Sequence, residues 1–113
     1  MLLMVGILAY AVHMVVNEAK VRVTLEGQQH PFAPAALRFR VRVEPDTANR
    51  ALTVALVSAE YERSSLEQLE GADAQITRWI DFVNVPAGAY VAEAVVHRPT
   101  ATIWRAHMFV TVQ

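Results

Sequence analysis

The chain contains no cysteine. That excludes disulfides, thiolate metal sites and cysteine nucleophiles, and it leaves the compartment open. Glycine is scarce, with four in the whole chain, so there is no Gly-rich loop to cradle a phosphate. The serines, Ser58, Ser64 and Ser65, are not in a G-x-S-x-G elbow. A nucleophilic triad would also need a histidine beside the serine, held by an acid, and no such constellation stands out. Lys20 is the single lysine; every other basic residue is arginine. The formal net charge is −1 at pH 7. Binding to nucleic acid needs an excess of cations to replace counterions, so nucleic acid is not an expected partner. Repeats and low-complexity stretches are absent as well. On this ground the sequence leads to the expectation of a protein that is not an enzyme and takes no cofactor.

What is present begins with an apolar run. Met1 to Val16, "MLLMVGILAYAVHMVV", has only Gly6 and His13 outside the strongly apolar or aromatic set. As a helix at about 1.5 Å per residue it spans roughly 24 Å, a little short of the ~30 Å hydrocarbon core. Asn17, Glu18 and Ala19 would carry its end into the headgroups. Three readings follow: a membrane anchor, a cleaved signal and a buried element. "AYA" at Ala9–Ala11 fits a cleavage pattern, but no basic residue precedes the run and cleavage would leave an apolar tail. Sixteen such residues exceed one strand of a small sandwich. The expected organisation is therefore a transmembrane helix over 1–19 and a β-sandwich over 20–113. His13 inside the run is read as lying near the helix end; a ligand to a cofactor or pigment is its other reading.

With 113 residues and 54% hydrophobic content, the chain forms one domain. After Ala19 the pattern alternates, which is the signature of strands. In "ALRFRVRVEP", Leu37, Phe39, Val41 and Val43 face one way and Arg38, Arg40, Arg42 and Glu44 the other. "KVRVTLEG", "ALTVALVSAEYE", "QITRWIDFVNV", "YVAEAVVHR" and "IWRAHMFVTV" read as further strands. "RSSLEQLEGADA" reads either as a short helical turn capped by Ser64 or Ser65 or as an irregular crossing. "PAGAY" reads as a tight turn, with Gly88 free to take positive φ. Six or seven strands in about ninety residues point to a mainly β fold, an antiparallel β-sandwich.

The stretch "DFVNVPAGAYVAEAVV", Asp81 to Val96, resembles the penultimate-strand signature of bacterial immunoglobulin-like and carboxypeptidase-regulatory-like domains. The resemblance covers sixteen residues. It implies an immunoglobulin-like sandwich that binds or supports something, and it brings no catalytic residues.

Pairing the last hairpin so that both apolar sets face the core puts Tyr90 near Val110 and Val96 near Trp104. The opposite face then carries Val91, Glu93, Val95, Ile103, Arg105, His107 and Phe109, with Glu93 opposite His107. This face holds two apolar residues on each strand, where a free sheet face normally alternates to polar, so it is the candidate partner interface. His97 and His107 fall on different strands four residues apart in register, too far for one metal ion. His30, in a Gln-Gln-His-Pro loop, reads as a solvated turn residue. Arg38, Arg40 and Arg42 form a second candidate, contacting an anionic surface or lipid headgroup; the other reading is a solvated strand face.

The expected function is a non-catalytic accessory subunit. A single span would hold the sandwich at a bacterial inner membrane, with the soluble domain periplasmic, docked on a larger complex of the respiratory or photosynthetic kind. The alternative is a periplasmic ligand- or peptide-binding module, secreted or tethered.

Overall fold

A computed structural model describes residues 20–27, 30–70, 77–99 and 103–113. The expected membrane helix and His13 lie outside these residues. Among the described residues, no helix is long and apolar enough to cross a membrane.

Seven antiparallel strands make up the fold: β1 (Val21–Glu26), β2 (Ala35–Val43), β3 (Ala51–Val57), β4 (Glu62–Gln68), β5 (Thr77–Val85), β6 (Gly88–His97) and β7 (Trp104–Val112). They form two sheets, one ordered β1-β2-β5 and one ordered β4-β3-β6-β7. The alternation dictates this. Each sheet turns one side of every strand to a shared interior, and only strands with an apolar side of period two fill it. In β2, Ala35, Leu37, Phe39, Val41 and Val43 are buried and the residues between them exposed. Leu52, Val54 and Leu56 of β3 and Tyr90, Ala92, Ala94 and Val96 of β6 close the interior from the other sheet. Phe39 and Phe82 meet edge to face, with ring centroids 6.0 Å apart.

The segment 62–68 departs from the sequence reading. It is neither a helical turn nor an irregular crossing but strand β4, paired along its length with β3. Its side chains conceal this, because Leu66 points outward and is exposed while Ser65 and Glu67 are half-buried. Local pattern gives no strand signal there, and pairing with β3 decides the conformation. The turn before β6 also differs. Gly88 is already the first residue of β6, opposite Val112, and does not have positive φ. The left-handed residue is Asn84, with φ 57°. Its cause is visible in the register: Leu37 and Ala35 of β2 pair with Phe82 and Val85 of β5, so β5 carries one extra residue. This bulge lets both Phe82 and Val85 reach the core despite their odd spacing, and asparagine tolerates the left-handed well. Met108, expected in the core, is half-buried against it.

One end of the sandwich is tied by a polar network. Asn49 is 1% exposed. Its Nδ2 donates to the Glu44 carbonyl at 3.0 Å, and its Oδ1 accepts from Arg98 Nε at 3.1 Å. Arg98 also reaches Asp46 at 2.9 Å and stacks over Trp104 at 4.2 Å from the ring centroid. The backbone N–H of Ala48 and then the Arg98 guanidinium hold the Asp46 carboxyl below its ordinary value. The β2–β3 loop is thereby fastened to the ends of β6 and β7.

Phe39 is 0% exposed, so Phe39→Ala is expected to lose about 3–5 kcal/mol in denaturant unfolding; a loss under about 1 kcal/mol would contradict its place in the core.

Candidate functional site

Two outer sheet faces carry the sequence candidates, and they differ in character. The outer face of the four-stranded sheet includes the last hairpin. Its register is Tyr90 opposite Val110, Glu93 opposite His107 and Val96 opposite Trp104, as the pairing argument expects. Val91, Glu93, Val95, Ile103, Arg105 and His107 are half-buried, and Phe109 is 60% exposed. Leu66 and Val57 of the neighbouring strands add exposed apolar surface.

Within this face, Glu93 Oε2 lies 3.7 Å from Arg105 Nη1 and finds no hydrogen bond among the described residues. His107 Nδ1 is likewise buried without such a bond, and its ring meets Phe109 edge to face at 5.5 Å. Burial pushes the Glu93 carboxyl up to about 7 from an ordinary 4.5, and the Arg105 charge opposes this only in part. His97 is engaged elsewhere, with its Nε2 2.8 Å from Thr53 Oγ1. His97 pairs with Ala51 and His107 with Glu93, so the two histidines are not brought together. His30 is exposed in the loop before β2. Among the described residues no three of His, Cys, Asp and Glu form a metal-sized group.

The outer face of the three-stranded sheet gathers four arginines, with Glu26 and Asp81 beside Arg38 at one end. In β1, residues 21–26 alternate buried and outward positions, so Arg22, Thr24 and Glu26 point out. The register sets Arg22 opposite Arg42, Thr24 opposite Arg40 and Glu26 opposite Arg38. On the other side of β2, Arg42 faces Thr77, Arg40 faces Trp79 and Arg38 faces Asp81. Arg38 differs from its neighbours. Its Nε contacts Asp81 Oδ1 at 3.1 Å, and its guanidinium sits 5.1 Å from the centroid of Trp79. Lys20 is paired with Glu44 at 3.4 Å. Arg22, Arg40 and Arg42 have no acidic partner among the described residues. With Lys20, Thr24, Glu44 and Pro45 they line a shallow groove of about 560 Å³.

Like charges directly opposite on paired strands are destabilising. Arg22 and Arg42 hold that arrangement with Arg40 beside them. Guanidinium groups match tetrahedral and planar oxyanions through paired N–H donors. The sequence reading found Arg40 and Arg42 but credited Arg38, which Asp81 and Trp79 engage. It missed Arg22 and Trp79. Alternation alone points both outward; only the β1–β2 and β2–β5 registers bring them beside Arg40 and Arg42, and no short turn fixes those registers in the sequence.

No protein-family model matches the chain, and no curated protein does. Among solved structures it is similar to a superoxide reductase (neelaredoxin) from Ignicoccus hospitalis. The TM-score is 0.64 at 15% sequence identity, over 87% of this chain and 86% of that one. At that identity the likeness is one of fold.

It corrects three expectations. The non-catalytic accessory subunit, the periplasmic binding module and the statement that the chain is no enzyme rested on missing catalytic motifs and on a sandwich read as supporting or binding. The same fold carries an oxidoreductase. Missing serine and phosphate-loop motifs exclude those chemistries and not enzymes as a class. The description as a membrane-anchored accessory subunit gains nothing from this likeness, which is to a structure named a superoxide reductase; the expected anchor, residues 1–19, lies outside the described residues. Reducing superoxide requires a one-electron donor, and a bound redox metal would need a set of ligands. The described side chains do not supply one: cysteine is missing, His97 is bonded to Thr53, and His107 faces a single carboxylate.

The Glu93 environment makes a pH signature. Folding strengthens proton binding at Glu93, so its contribution is most favourable below about pH 4.5, falls as pH rises to about 7 and is constant above. Glu93→Gln should therefore match the parent in stability near pH 4.5 and exceed it at pH 8 in paired thermal unfolding; an equal gap at both pH values would contradict the burial of this carboxyl.

Proposed function

We propose that this domain binds phosphate-class oxyanions on the outer face of its three-stranded sheet. The observation that carries the reading is the triad Arg22, Arg40 and Arg42, which has no acidic ion-pair partner among the described residues and sets Arg22 directly opposite Arg42. An anion bridging the guanidiniums turns a repulsive pair into a bound pair, with charge-assisted hydrogen bonds. The strand order 1-2-5 against 4-3-6-7 supports the finer reading of an immunoglobulin-like sandwich whose fourth strand pairs with the third. Such a frame keeps the three arginines on rigid strands, so little ordering accompanies binding.

Calorimetric titration with inorganic pyrophosphate, at about 20 mM salt where screening is weak, tests the proposal. Saturable binding is expected, weakened about tenfold in Arg42→Ala, equivalent to about 1.4 kcal/mol. Sedimentation with phosphatidylglycerol vesicles distinguishes a headgroup from a free anion as the source. Failure of both pyrophosphate and vesicles to bind would overturn the reading. The unliganded protein gives a second check: Arg42→Thr should raise stability by a few tenths of a kcal/mol at low salt and not at 1 M, where the repulsion it removes is screened. A destabilised variant at low salt would contradict the opposed-charge arrangement.

The name of the similar structure favours a second reading, an oxidoreductase. Superoxide is itself a small anion, and a cationic face raises the local concentration of such ions. Superoxide consumption by the purified chain with ascorbate as the one-electron donor tests it: a rate above that of ascorbate alone, reduced in Arg40→Ala, supports the reading, and a rate equal to ascorbate alone removes it.

A further inference from the structure

We infer that the oxyanion is one end of a mononucleotide whose planar base rests on Trp79. This inference builds on the oxyanion reading above and names the rest of the ligand. Trp79 projects from β5 in the middle of the cationic face, 45% exposed, with Arg40 as its cross-strand partner. A large exposed indole on a charged sheet face is unusual, and here it is braced. Arg38 stacks against it at 5.1 Å and is itself held by Asp81 at 3.1 Å. Both braces lie on one side of the Arg40–Trp79 row. The other side of that row belongs to Arg42 and Thr77, followed across β2 by Arg22.

The spacing fits one small ligand. A diagonal pair on adjacent strands is about 7–8 Å apart, which is the separation of Trp79 from Arg42 by register. A sugar bridges that distance between a base on the indole and a phosphate on the guanidiniums. Thr77, half-buried two residues before Trp79 on β5 and opposite Arg42, offers a hydroxyl at the sugar's level, while the Thr24 hydroxyl donates to the Arg40 carbonyl at 3.4 Å. Bases stack on exposed aromatic rings with little regard to sequence because every base has a π-face. A polymer would need a cationic track along its backbone. This face offers one cluster in a chain of net charge −1, which favours a mononucleotide. A lipid surface fits less well, because inserting Trp79 into a bilayer would carry Arg38 and Asp81 with it.

The test compares AMP, ribose phosphate and inorganic phosphate by calorimetry on the full chain, with indole fluorescence read in parallel. AMP should bind about tenfold more tightly than ribose phosphate and quench the exposed indole. Trp79→Ala should bring AMP to the ribose phosphate level while leaving ribose phosphate binding unchanged, and Trp79→Phe should keep most of the preference. Equal affinities for AMP and ribose phosphate in the parent chain would overturn the nucleotide inference and leave the oxyanion reading standing. If none of the three binds, the nucleotide inference falls, and the oxyanion reading is then decided by the pyrophosphate and vesicle titrations. A blue-shifted Trp79 on phosphatidylglycerol vesicles, with no preference for AMP, would assign the face to lipid and also overturn the inference.

Discussion

The period-two alternation of β2 is the constraint on which the rest depends. Burying Leu37, Phe39, Val41 and Val43 on one side of a strand commits Arg38, Arg40 and Arg42 to the other. The core decides this at several kcal/mol per large side chain, far more than the repulsion between exposed guanidiniums opposes it. Once β1 pairs on one side and β5 on the other, Arg22, Thr77 and Trp79 take their places without further choice. The cationic face is thus a by-product of core packing in its orientation. It is not one in its composition, because threonine or glutamate would satisfy the same outward positions without the repulsion.

The two outer faces of the sandwich have opposite electrical characters. On the three-stranded sheet, charges stay in water and lack counter-charges where Arg22, Arg40 and Arg42 meet. On the four-stranded sheet, Glu93 is drawn down among Val91, Val95 and Arg105 until burial lifts its carboxyl to about 7. A half-buried carboxyl held near 7 changes its charge within the physiological range. The proposed anion binding falls to the first face, and sensitivity to pH to the second. Between them, the Asn49–Arg98–Asp46 network pins the loop after β2 to the far sheet.

The strands that alternate cleanly were legible in the sequence. β2, β3 and the β6–β7 hairpin follow from their apolar period, and matching the two apolar sets of the hairpin was enough to place Glu93 opposite His107. β4 was not, since Leu66 points out and Ser65 in; its conformation comes from β3 and not from its own residues. The bulge at Asn84 was equally hidden, because an extra residue shows only when a partner strand is counted against it. The same limit applies to the candidate site. Arg40 and Arg42 share a strand and were visible; Arg22 and Trp79 arrive from strands joined by long connections, whose register no turn signal fixed. Function was the least legible. Motif absence carried the expectation of no enzyme, and a shared fold with a superoxide reductase shows how little such absence excludes.

The central claim is that three unpaired guanidiniums act together on one ligand. Heteronuclear NMR of the arginine side-chain Nε–H groups during phosphate titration observes each of them directly. The account predicts saturable shifts at Arg22, Arg40 and Arg42 with one common midpoint, and smaller changes at Arg50, Arg63 and Arg98. Shifts spread evenly over all arginines, or rising without saturation, would contradict it.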